Sequence, residues 1–353
     1  MHRSKPWILT ALLLLGVAST GRAQQESSNA VRVKLASEAV LRHYNKNSGL
    51  FDSTGWWNAA NGITALADAS KVLGRAGVHA TTFDNTFQRA QGKFPDFLND
   101  FYDDEGWWAL AWLAVYDLDH KPIRLHMAES IFENMTGGWD GVCGGGIWWK
   151  KDRHYKNAIA NELFLSVAAR LAQRSTGQQK ERYRKWAMDE WRWFAASGMI
   201  NGQQLVNDGL DSSCRNNGKT EWSYNQGVVL TGLLDLADLE QDPELRAQAS
   251  RMAQASAKAL TGSDGVLHEV CEPGCGADGV QFKGIYVRNL ADLDRRLPNG
   301  DLRGFLHRNA NELWTRGRSV EGGFSTVWSG PPATANAGAD IAALDLFVAD
   351  GIP

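Results

Sequence analysis

Helical segments recur along almost the whole chain, and this recurrence limits the possible folds more than any other feature. Stretches rich in leucine and alanine show the spacing of amphipathic helices, and loops rich in Gly, Asn, Asp and Trp separate them. No stretch has the alternating Val and Ile of a strand ladder. Short strands are expected only within 140–150 and 262–287. The predicted helices span residues 28–46, 57–75, 80–98, 106–118, 121–135, 155–173, 178–197, 222–240, 243–260, 282–297, 300–316 and 335–350.

This number of helices favours a closed ring over an open superhelix. Six helical hairpins can close into an (α/α)6 barrel, in which each helix buries one stripe and a cavity lies at one end. A solenoid is disfavoured because the chain has no strong internal repeat. Residues 158–168 are apolar on more than one face, as expected of a helix in an inner ring. The sequence therefore predicts an all-α fold in a single domain, residues 24–353.

Composition and charge exclude some classes of partner. With 353 residues, 43% of them hydrophobic and 22% charged, the chain can bury a large core. The length would allow two domains, but no linker divides the chain. The formal net charge of −3 gives no indication of a nucleic-acid or anionic-membrane partner. We expect a monomer without a nucleic-acid partner.

The N-terminus has the pattern of a secretory signal peptide. His2, Arg3 and Lys5 form a basic region, residues 7–17 form an apolar core, and small residues lead to a cleavage site after Ala23. The apolar run is short for a spanning helix, and a retained anchor is the alternative. The chain also ends without a long apolar tail, so we expect no lipid anchor. The prediction is a secreted protein, extracellular or periplasmic, whose residues 1–23 are removed.

Four cysteines fit an exported protein with disulfides. Cys271 and Cys275 flank a Glu-Pro-Gly turn and form the favoured pair, which leaves Cys143 to pair with Cys214. The alternative is a zinc site that uses these cysteines and His268, but the spacing matches no standard zinc pattern. We therefore predict disulfides, no metal site and no cofactor.

Two adjacent aspartates, Asp103 and Asp104, are the strongest indication of chemistry. They lie beside Tyr102 and just before Trp107 in a run of aromatic residues. Carboxyls act as acid, base or nucleophile in glycosidic cleavage, and flat rings stack on sugars. Two carboxyls this close should titrate together, so that one keeps its proton to higher pH. The alternatives are capping of the next helix and binding of a divalent metal, whose motif requires a further acid where this chain has Trp107.

Aromatic and amide side chains recur at alternate connections between the predicted helices, and alternate connections of such a barrel share one rim. The chain also has 15 tryptophans, more than a core of this size requires. Rings, amides and carboxylates are the groups that bind sugars, although each one alone could equally be structural. The candidate substrate-binding residues are Trp56, Trp57, Asn58, Asn61, Tyr102, Trp107, Asn157, Asp208, Asp211, Tyr224, Asn225 and Lys283.

At these residues the chain resembles glycoside hydrolase family 76, the endo-α-1,6-mannanases. The run from Tyr102 to Trp112 looks like the signature of that family. The resemblance covers nearly all of the chain after the signal peptide, and it implies an (α/α)6 barrel and a retaining double displacement. It also implies that Asp103 is the nucleophile and Asp104 the acid/base. Further matching stretches lie at 56–61, 145–149, 155–165, 222–227 and 282–289.

The predicted function is that of a secreted, endo-acting glycoside hydrolase that cleaves α-1,6-mannosidic linkages in α-mannan. Fungal members of the family are thought to be cell-wall transglycosidases and usually carry a lipid-anchor tail, so hydrolysis is favoured for this chain. A mannan transglycosidase and a non-catalytic mannan-binding surface protein remain alternatives. An isomerase or epimerase on the same fold is a further one, disfavoured by the scattered histidines.

Overall fold

The computed structural model describes residues 29–332, 334 and 336–351, so the predicted signal peptide lies outside the described residues. Twelve α-helices account for most of the described part. Their bounds are residues 29–42 (α1), Trp56–Val72 (α2), Ala80–Arg89 (α3), Tyr102–Asp119 (α4), Pro122–Thr136 (α5), Ala158–Arg174 (α6), Gly177–Ala196 (α7), Ser223–Glu240 (α8), Pro243–Leu260 (α9), Phe282–Arg296 (α10), Gly300–Glu312 (α11) and Ala337–Gly351 (α12).

The even-numbered helices form a closed inner ring. Helix α2 packs on α4, α4 on α6, α6 on α8, α8 on α10, α10 on α12, and α12 packs again on α2. The odd-numbered helices lie outside, where α5 packs on α4, α7 on α6, α9 on α8 and α11 on α12. This arrangement is the predicted (α/α)6 barrel.

Regular strands are confined, within the described ranges, to one short antiparallel hairpin. It pairs β1 (Tyr44–Asn45) with β2 (Leu50–Phe51). The two regions in which short strands were expected contain isolated bridges instead, such as those between Trp139 and Ile147 and between Thr261 and Leu267. Hairpins this small add little to the core, so helix packing holds the fold together.

Inner and outer helices differ in how much of their surface is covered. In α6 every residue from Ala158 to Ala169 is buried, because two ring neighbours and an outer helix surround it. Helix α7 instead buries a single stripe, which includes Tyr183, Ala187 and Glu190 at helical spacing. The apolar character of 158–168 therefore marked an inner helix, as predicted.

Two glycines allow neighbouring helices of the inner ring to approach closely. A Cβ atom on Gly227 of α8 would lie 2.8 Å from Cα of Tyr286 on α10. On Gly284 of α10 it would lie 2.5 Å from Cα of Ala342 on α12. Because these neighbours are backbone atoms, a larger residue would have to push a whole helix outward.

Two disulfides lie in loops that precede helices of the inner ring. Cys143 pairs with Cys214 and joins the loop before α6 to the loop before α8, whereas Cys271 pairs with Cys275 within the loop before α10. Cys271–Cys275 is the pair favoured from the sequence, and Cys143–Cys214 is the pair that this choice left; together they leave no free cysteine in the described chain. Among the helices that the structure describes, none is long and apolar enough to span a bilayer.

Two predicted helix boundaries were wrong in an informative way. Helix α3 ends at Arg89 rather than at 98, and a 3₁₀ turn at Ala90–Gly92 follows it directly. The helix could not have continued to 98, because Pro95 begins a second 3₁₀ turn in which Asp96 and Phe97 have positive φ angles. Helix α4 begins at Tyr102 rather than at 106. Acidic residues are favourable in the first turn of a helix, since the N-terminal end carries partial positive charge. The aspartate pair therefore lies inside the helix rather than before it.

The close packing at Gly284 gives a stability prediction. Gly284→Ala is expected to lower the free energy of unfolding by about 1 to 3 kcal/mol, because overpacking outweighs the better helix propensity of alanine. Gly304→Ala in outer helix α11 has no atom within 4 Å of the added Cβ and should raise the free energy by up to about 1 kcal/mol. Urea denaturation of both variants measures these changes, and effects of the same sign would contradict the packing argument.

Candidate active site

One end of the barrel carries the N-termini of all six inner helices. Each outer helix returns the chain to this end, so the inner helices run in the same direction. Trp56 opens α2, Tyr102 opens α4, Asn157 caps α6, Ser223 opens α8 and Phe282 opens α10. The aromatic and amide-rich stretches therefore meet at one rim, where the helix ends also favour negative charge.

Asp103 and Asp104 occupy the first turn of α4. The N-cap position belongs to Phe101, so neither aspartate caps this helix. Trp149 Nε1 donates to Asp103 Oδ2 at 3.0 Å, and Asn99 Nδ2 donates to Asp104 Oδ2 at 2.6 Å. Asp103 Oδ1 is buried and has no hydrogen-bond partner among the described residues. Each carboxyl is thus held by one side-chain donor.

Burial raises the pKa of both carboxyls. The pKa of Asp103 is well above its ordinary value because of burial and then because of the charge of Asp104, and the bond from Trp149 only partly opposes this. Burial raises the pKa of Asp104 to about 6, against the hydrogen bond from Asn99, and the charge of Asp278 reinforces the rise. Since the two groups titrate as a pair, one of them keeps its proton to higher pH than an ordinary aspartate does.

Glu105 directly follows the pair, but a lysine side chain holds its carboxyl. Glu105 is fully buried and forms an ion pair with Lys151 Nζ at 2.7 Å. Burial raises the pKa of Glu105 to about 7, and Lys151 opposes this rise. The cation of Lys151 also lies 5.6 Å from the ring of Tyr102. These contacts attach the loop after Trp149 to α4.

Stacked rings lie beside the pair. Trp57 stacks on Trp107 with centroids 5.7 Å apart, and Trp107 stands one turn after Asp103 on α4. Tyr224 stacks on Phe282 at 3.9 Å with an angle of 10° between the rings. Trp57 and Tyr224 are only partly buried, so their outer faces can contact the apolar face of a sugar.

A second set of polar groups approaches Asp103 from the α6 and α8 side. Tyr155 Oη donates to Asp208 and accepts a bond of 2.9 Å from Asn217 Nδ2. The ring of Tyr155 lies 6.3 Å from that of Trp149, which itself donates to Asp103. Among these residues only Asp103 and Asp208 were predicted from the sequence. Two signals in the sequence could have selected the others. Trp149 belongs to the tryptophan pair Trp148-Trp149, and Tyr155 is separated from Asn157 by a single residue.

Several predicted sugar contacts serve the fold instead. Asn58 is fully buried and donates to Gln281 Oε1 at 2.8 Å, and Asn157 accepts from Ala160 N as the N-cap of α6. Asn61 is buried and accepts from Arg288 at 2.7 Å. An amide whose donors and acceptors are used inside the protein has little left to offer a ligand.

Other predicted sugar contacts are also buried or bonded within the protein. Lys283 is buried in an ion pair with Glu272, under the ring of Trp328 at 4.4 Å. Asp211 accepts from the backbone of Ser213 and thus stabilises a turn. Three further candidates, Trp56, Tyr102 and Asn225, are buried, and the side-chain amide of Asn225 has no hydrogen-bond partner among the described residues.

The opposite end of the barrel contains a cavity of about 1170 Å³. It is lined by the C-terminal turns of the inner helices and by ion pairs such as Arg170 with Asp235 and Arg174 with Asp117. Trp107 lies at its inner end, whereas neither catalytic candidate lines it. We place the active site at the other end, because the desolvated carboxyl pair and the stacked rings are there. The part of the chain that the structure describes forms no cluster of three or more metal-ligating side chains.

Comparison with known proteins gives a family and a set of similar structures. The sequence profile of glycosyl hydrolase family 76 matches residues 28–350. Mannan endo-1,6-alpha-mannosidase DCW1 of Candida albicans is 31% identical over 209 residues, which cover 53% of this chain and 46% of that protein. DCW1 of Saccharomyces cerevisiae is 26% identical over 303 residues, which cover 78% and 66%. The chain thus spans about half to two thirds of the lengths of these curated relatives.

Solved structures with the same fold include an α-1,6-mannanase, GH76A of Salegentibacter sp. HEL1_6. An inactive variant of that enzyme, with two adjacent aspartates replaced by alanine and α-1,6-mannotetrose bound, has a TM-score of 0.82 and 21% identity and covers 92% of this chain and 98% of that chain. Dfg5 of Chaetomium thermophilum in complex with glucosamine has a TM-score of 0.81 and 21% identity, with 92% and 90% covered. At these identities the similarity shows the fold.

The raised pKa of Asp104 gives a pH-dependent stability prediction. When the folded-state pKa of a carboxyl lies above its unfolded value, stability is highest below the unfolded pKa and falls as the pH rises through the folded pKa. Ionisation of Asp104 should therefore destabilise the wild type between about pH 4 and pH 6, and Asp104→Asn should lack this contribution.

Urea denaturation at about pH 4 and at about pH 7.5 measures the effect. Asp104→Asn is expected to be more stable than the wild type at the higher pH and to differ little at the lower pH. Glu321→Gln, at an exposed site, is the control and should show no such dependence. A difference for Asp104→Asn that is the same at both pH values would contradict the burial argument.

Proposed function

The chain belongs to glycosyl hydrolase family 76, and on that basis we propose that it hydrolyses α-1,6-mannosidic linkages within α-mannan with retention of configuration. The observation that carries the proposal is the pair of desolvated, adjacent carboxyls of Asp103 and Asp104 beside stacked rings. Two comparisons support it. Curated relatives are named mannan endo-1,6-alpha-mannosidases, and a mannanase of the same fold became inactive when two adjacent aspartates were replaced.

In the first step Asp103 is the nucleophile and Asp104 the acid. An oxygen of the Asp103 carboxylate bonds to C1 of the mannosyl unit while the bond from C1 to O6 of the next unit breaks. The proton of Asp104 moves to that O6, because a primary alkoxide is a poor leaving group without it. Retaining enzymes place the two carboxyls roughly 5 Å apart, on either side of the bond that breaks.

In the second step Asp104 acts as the base. It takes a proton from water while the water oxygen bonds to C1 and the bond from C1 to Asp103 breaks. The product keeps the α configuration because C1 has been inverted twice. Asp104 ends the cycle protonated and Asp103 ionised, so the pair again holds one proton.

The surroundings of the pair fit these roles. Trp149 donates to one oxygen of Asp103 and leaves the other, which has no partner in the described chain, to attack C1. Asn99 orients Asp104, and burial raises the pKa of Asp104 to about 6, in the range of a group that gives up and recovers a proton. Because burial also raises the pKa of Asp103 well above its ordinary value, the mechanism requires the shared proton to rest on Asp104 when the sugar is bound. Trp57 and Tyr224 offer ring faces to the sugar.

The proposal also covers the export, the domain organisation and the oligomeric state of the enzyme. Disulfides Cys143–Cys214 and Cys271–Cys275 are typical of proteins in oxidising compartments and support export. We propose that residues 1–23 act as a signal peptide and that residues 24–353 form one catalytic domain that works as a monomer.

The reaction can be tested with linear α-1,6-mannan. Wild-type enzyme should release manno-oligosaccharides of several lengths, as expected of cleavage within the chain. Asp103→Asn should lose activity by at least about 10⁴-fold, and Asp104→Asn by about 10² to 10⁴-fold. Asp301→Asn, an exposed site on α11, is the matched control and should keep full activity. The proposal would be refuted if the wild type formed no product from any α-mannan.

The two roles can be separated with an aryl α-1,6-mannobioside whose leaving group needs little protonation. Asp104→Asn should still form the glycosyl-enzyme from this substrate, and azide should restore its turnover by replacing the activated water. Asp103→Asn should remain inactive, because the residue that forms the covalent bond is missing. The opposite pattern would exchange the two roles.

The same assay distinguishes hydrolysis from transfer. Reducing ends should increase in proportion to the bonds cleaved, even when α-1,6-mannobiose is added as an acceptor. Elongated products without new reducing ends would identify a transglycosidase instead. Calorimetric binding of mannan without any cleavage would identify a binding protein.

A further inference from the structure

We infer that Asp278 and Trp57 form the binding site for the leaving-group sugar, the mannosyl unit whose O6 departs. This inference rests on the proposed function and on the roles of Asp103 and Asp104. Asp278 lies in the loop between the Cys271–Cys275 disulfide and α10, and the sequence patterns did not select it. Its position in the fold, rather than its neighbours in sequence, brings it to the site.

A hydrogen bond and a ring stack connect Asp278 to the helix that carries the catalytic pair. Trp57 Nε1 donates to Asp278 Oδ1 at 2.8 Å. The indole of Trp57 stacks on Trp107, which lies on α4 within one turn of Asp104. Asp278 is exposed and Trp57 is partly exposed, so both present surface to the cleft.

The contacts around the pair separate into an Asp103 side and an Asp104 side. Trp149 bonds to Asp103, whereas Asn99 bonds to Asp104. Asp278 belongs to the Asp104 side, because it bonds to Trp57 on α2, and Trp56 of the same helix packs on Phe94 and Phe97 in the segment that leads to Asn99. Trp149 instead lies in the loop before α6, on the other side of α4. The charge of Asp278 also raises the pKa of Asp104. An acid/base residue lies next to the leaving oxygen, so groups on its side meet the leaving sugar.

The chemistry of Asp278 and Trp57 suits this sugar. A mannosyl unit that leaves through O6 keeps its ring hydroxyls free to donate hydrogen bonds. One oxygen of Asp278 is engaged by the indole, and the other is left to accept from these hydroxyls. Hydrogen bonds to an ionised acceptor are the stronger kind, and the partly exposed ring of Trp57 can stack on the apolar face of the same sugar.

Three attachments hold the loop that carries Asp278. The Cys271–Cys275 disulfide closes its first part. The carboxylate of Glu272 pairs with the buried Lys283 and also contacts His268 Nδ1 at 2.9 Å. Because Asp278 is fixed before substrate arrives, little ordering cost remains for binding.

The third attachment uses the buried amide of Asn58. Its Nδ2 donates to Gln281 Oε1 at 2.8 Å, and Gln281 Nε2 donates back to Asn58 O at 3.2 Å. Gln281 lies three residues beyond Asp278, and its bonds to Asn58 join the loop to α2, the helix of Trp57. Asn58 and Lys283 therefore act as positioning residues for the subsite rather than as sugar contacts.

The inference can be tested with Asp278→Ala and Asp278→Asn on two substrates. On linear α-1,6-mannan, Asp278→Ala should raise KM by about 10-fold, the effect of losing hydrogen bonds to a charged acceptor, with a smaller change in kcat. Asp278→Asn keeps an acceptor and should show a smaller effect. On an aryl α-1,6-mannobioside the leaving group has no sugar hydroxyls, so both variants should stay within about 2-fold of the wild type.

The control is Asp301→Ala, at an exposed site on α11, which should match the wild type on both substrates. Equal losses on mannan and on the aryl substrate would overturn the assignment, because they would show a general effect on the site. Unchanged KM for mannan in Asp278→Ala would also overturn it while leaving the proposed function intact. A wild type inactive on both substrates would instead refute the proposed function, and the inference with it.

Discussion

Two adjacent carboxyls, buried together at the start of α4, are the constraint on which the rest of the site depends. Burying Asp103 and Asp104 side by side disfavours their ionisation, and this raises the pKa of both. The fold tolerates them because they lie at the positive end of a helix and because Trp149 and Asn99 each donate one bond. The same arrangement that costs stability keeps a proton on the pair to higher pH, which suits the acid and base chemistry that we propose for it.

The barrel makes this arrangement possible by where it places its helix ends. A closed ring of parallel inner helices gathers six N-termini on one rim, and the loops that enter them carry the rings and polar groups. Buried side chains then fix the loops. Lys156, for example, donates to Asp140 and to the carbonyls of Val142, Gly145 and Gly146, and so holds the glycine-rich loop before α6. Rigid support of this kind is what a catalytic geometry requires.

Helical periodicity was sufficient to predict the fold, because twelve amphipathic segments without strand patterns can close in few ways. The position of Asp103 and Asp104 among aromatic residues was sufficient to select them as catalytic candidates. The sequence could not show that Asn58 and Lys283 face the interior, since a buried amide and a sugar-binding amide are the same residue type. Nor could it show that Asp278 reaches the cleft, because that depends on a disulfide and on the contact between Asn58 and Gln281 across the ring.

The central claim is that Asp103 forms a covalent bond to the sugar while Asp104 acts as the general acid and then as the general base. Labelling of the enzyme with a mannobiosyl epoxide, followed by proteolysis and fragmentation of the labelled peptide by mass spectrometry, tests this most directly. The account predicts one equivalent of label, attached to Asp103, and protection by α-1,6-manno-oligosaccharide. Label on Asp104, or hydrolysis of mannan with inversion at C1, would contradict it.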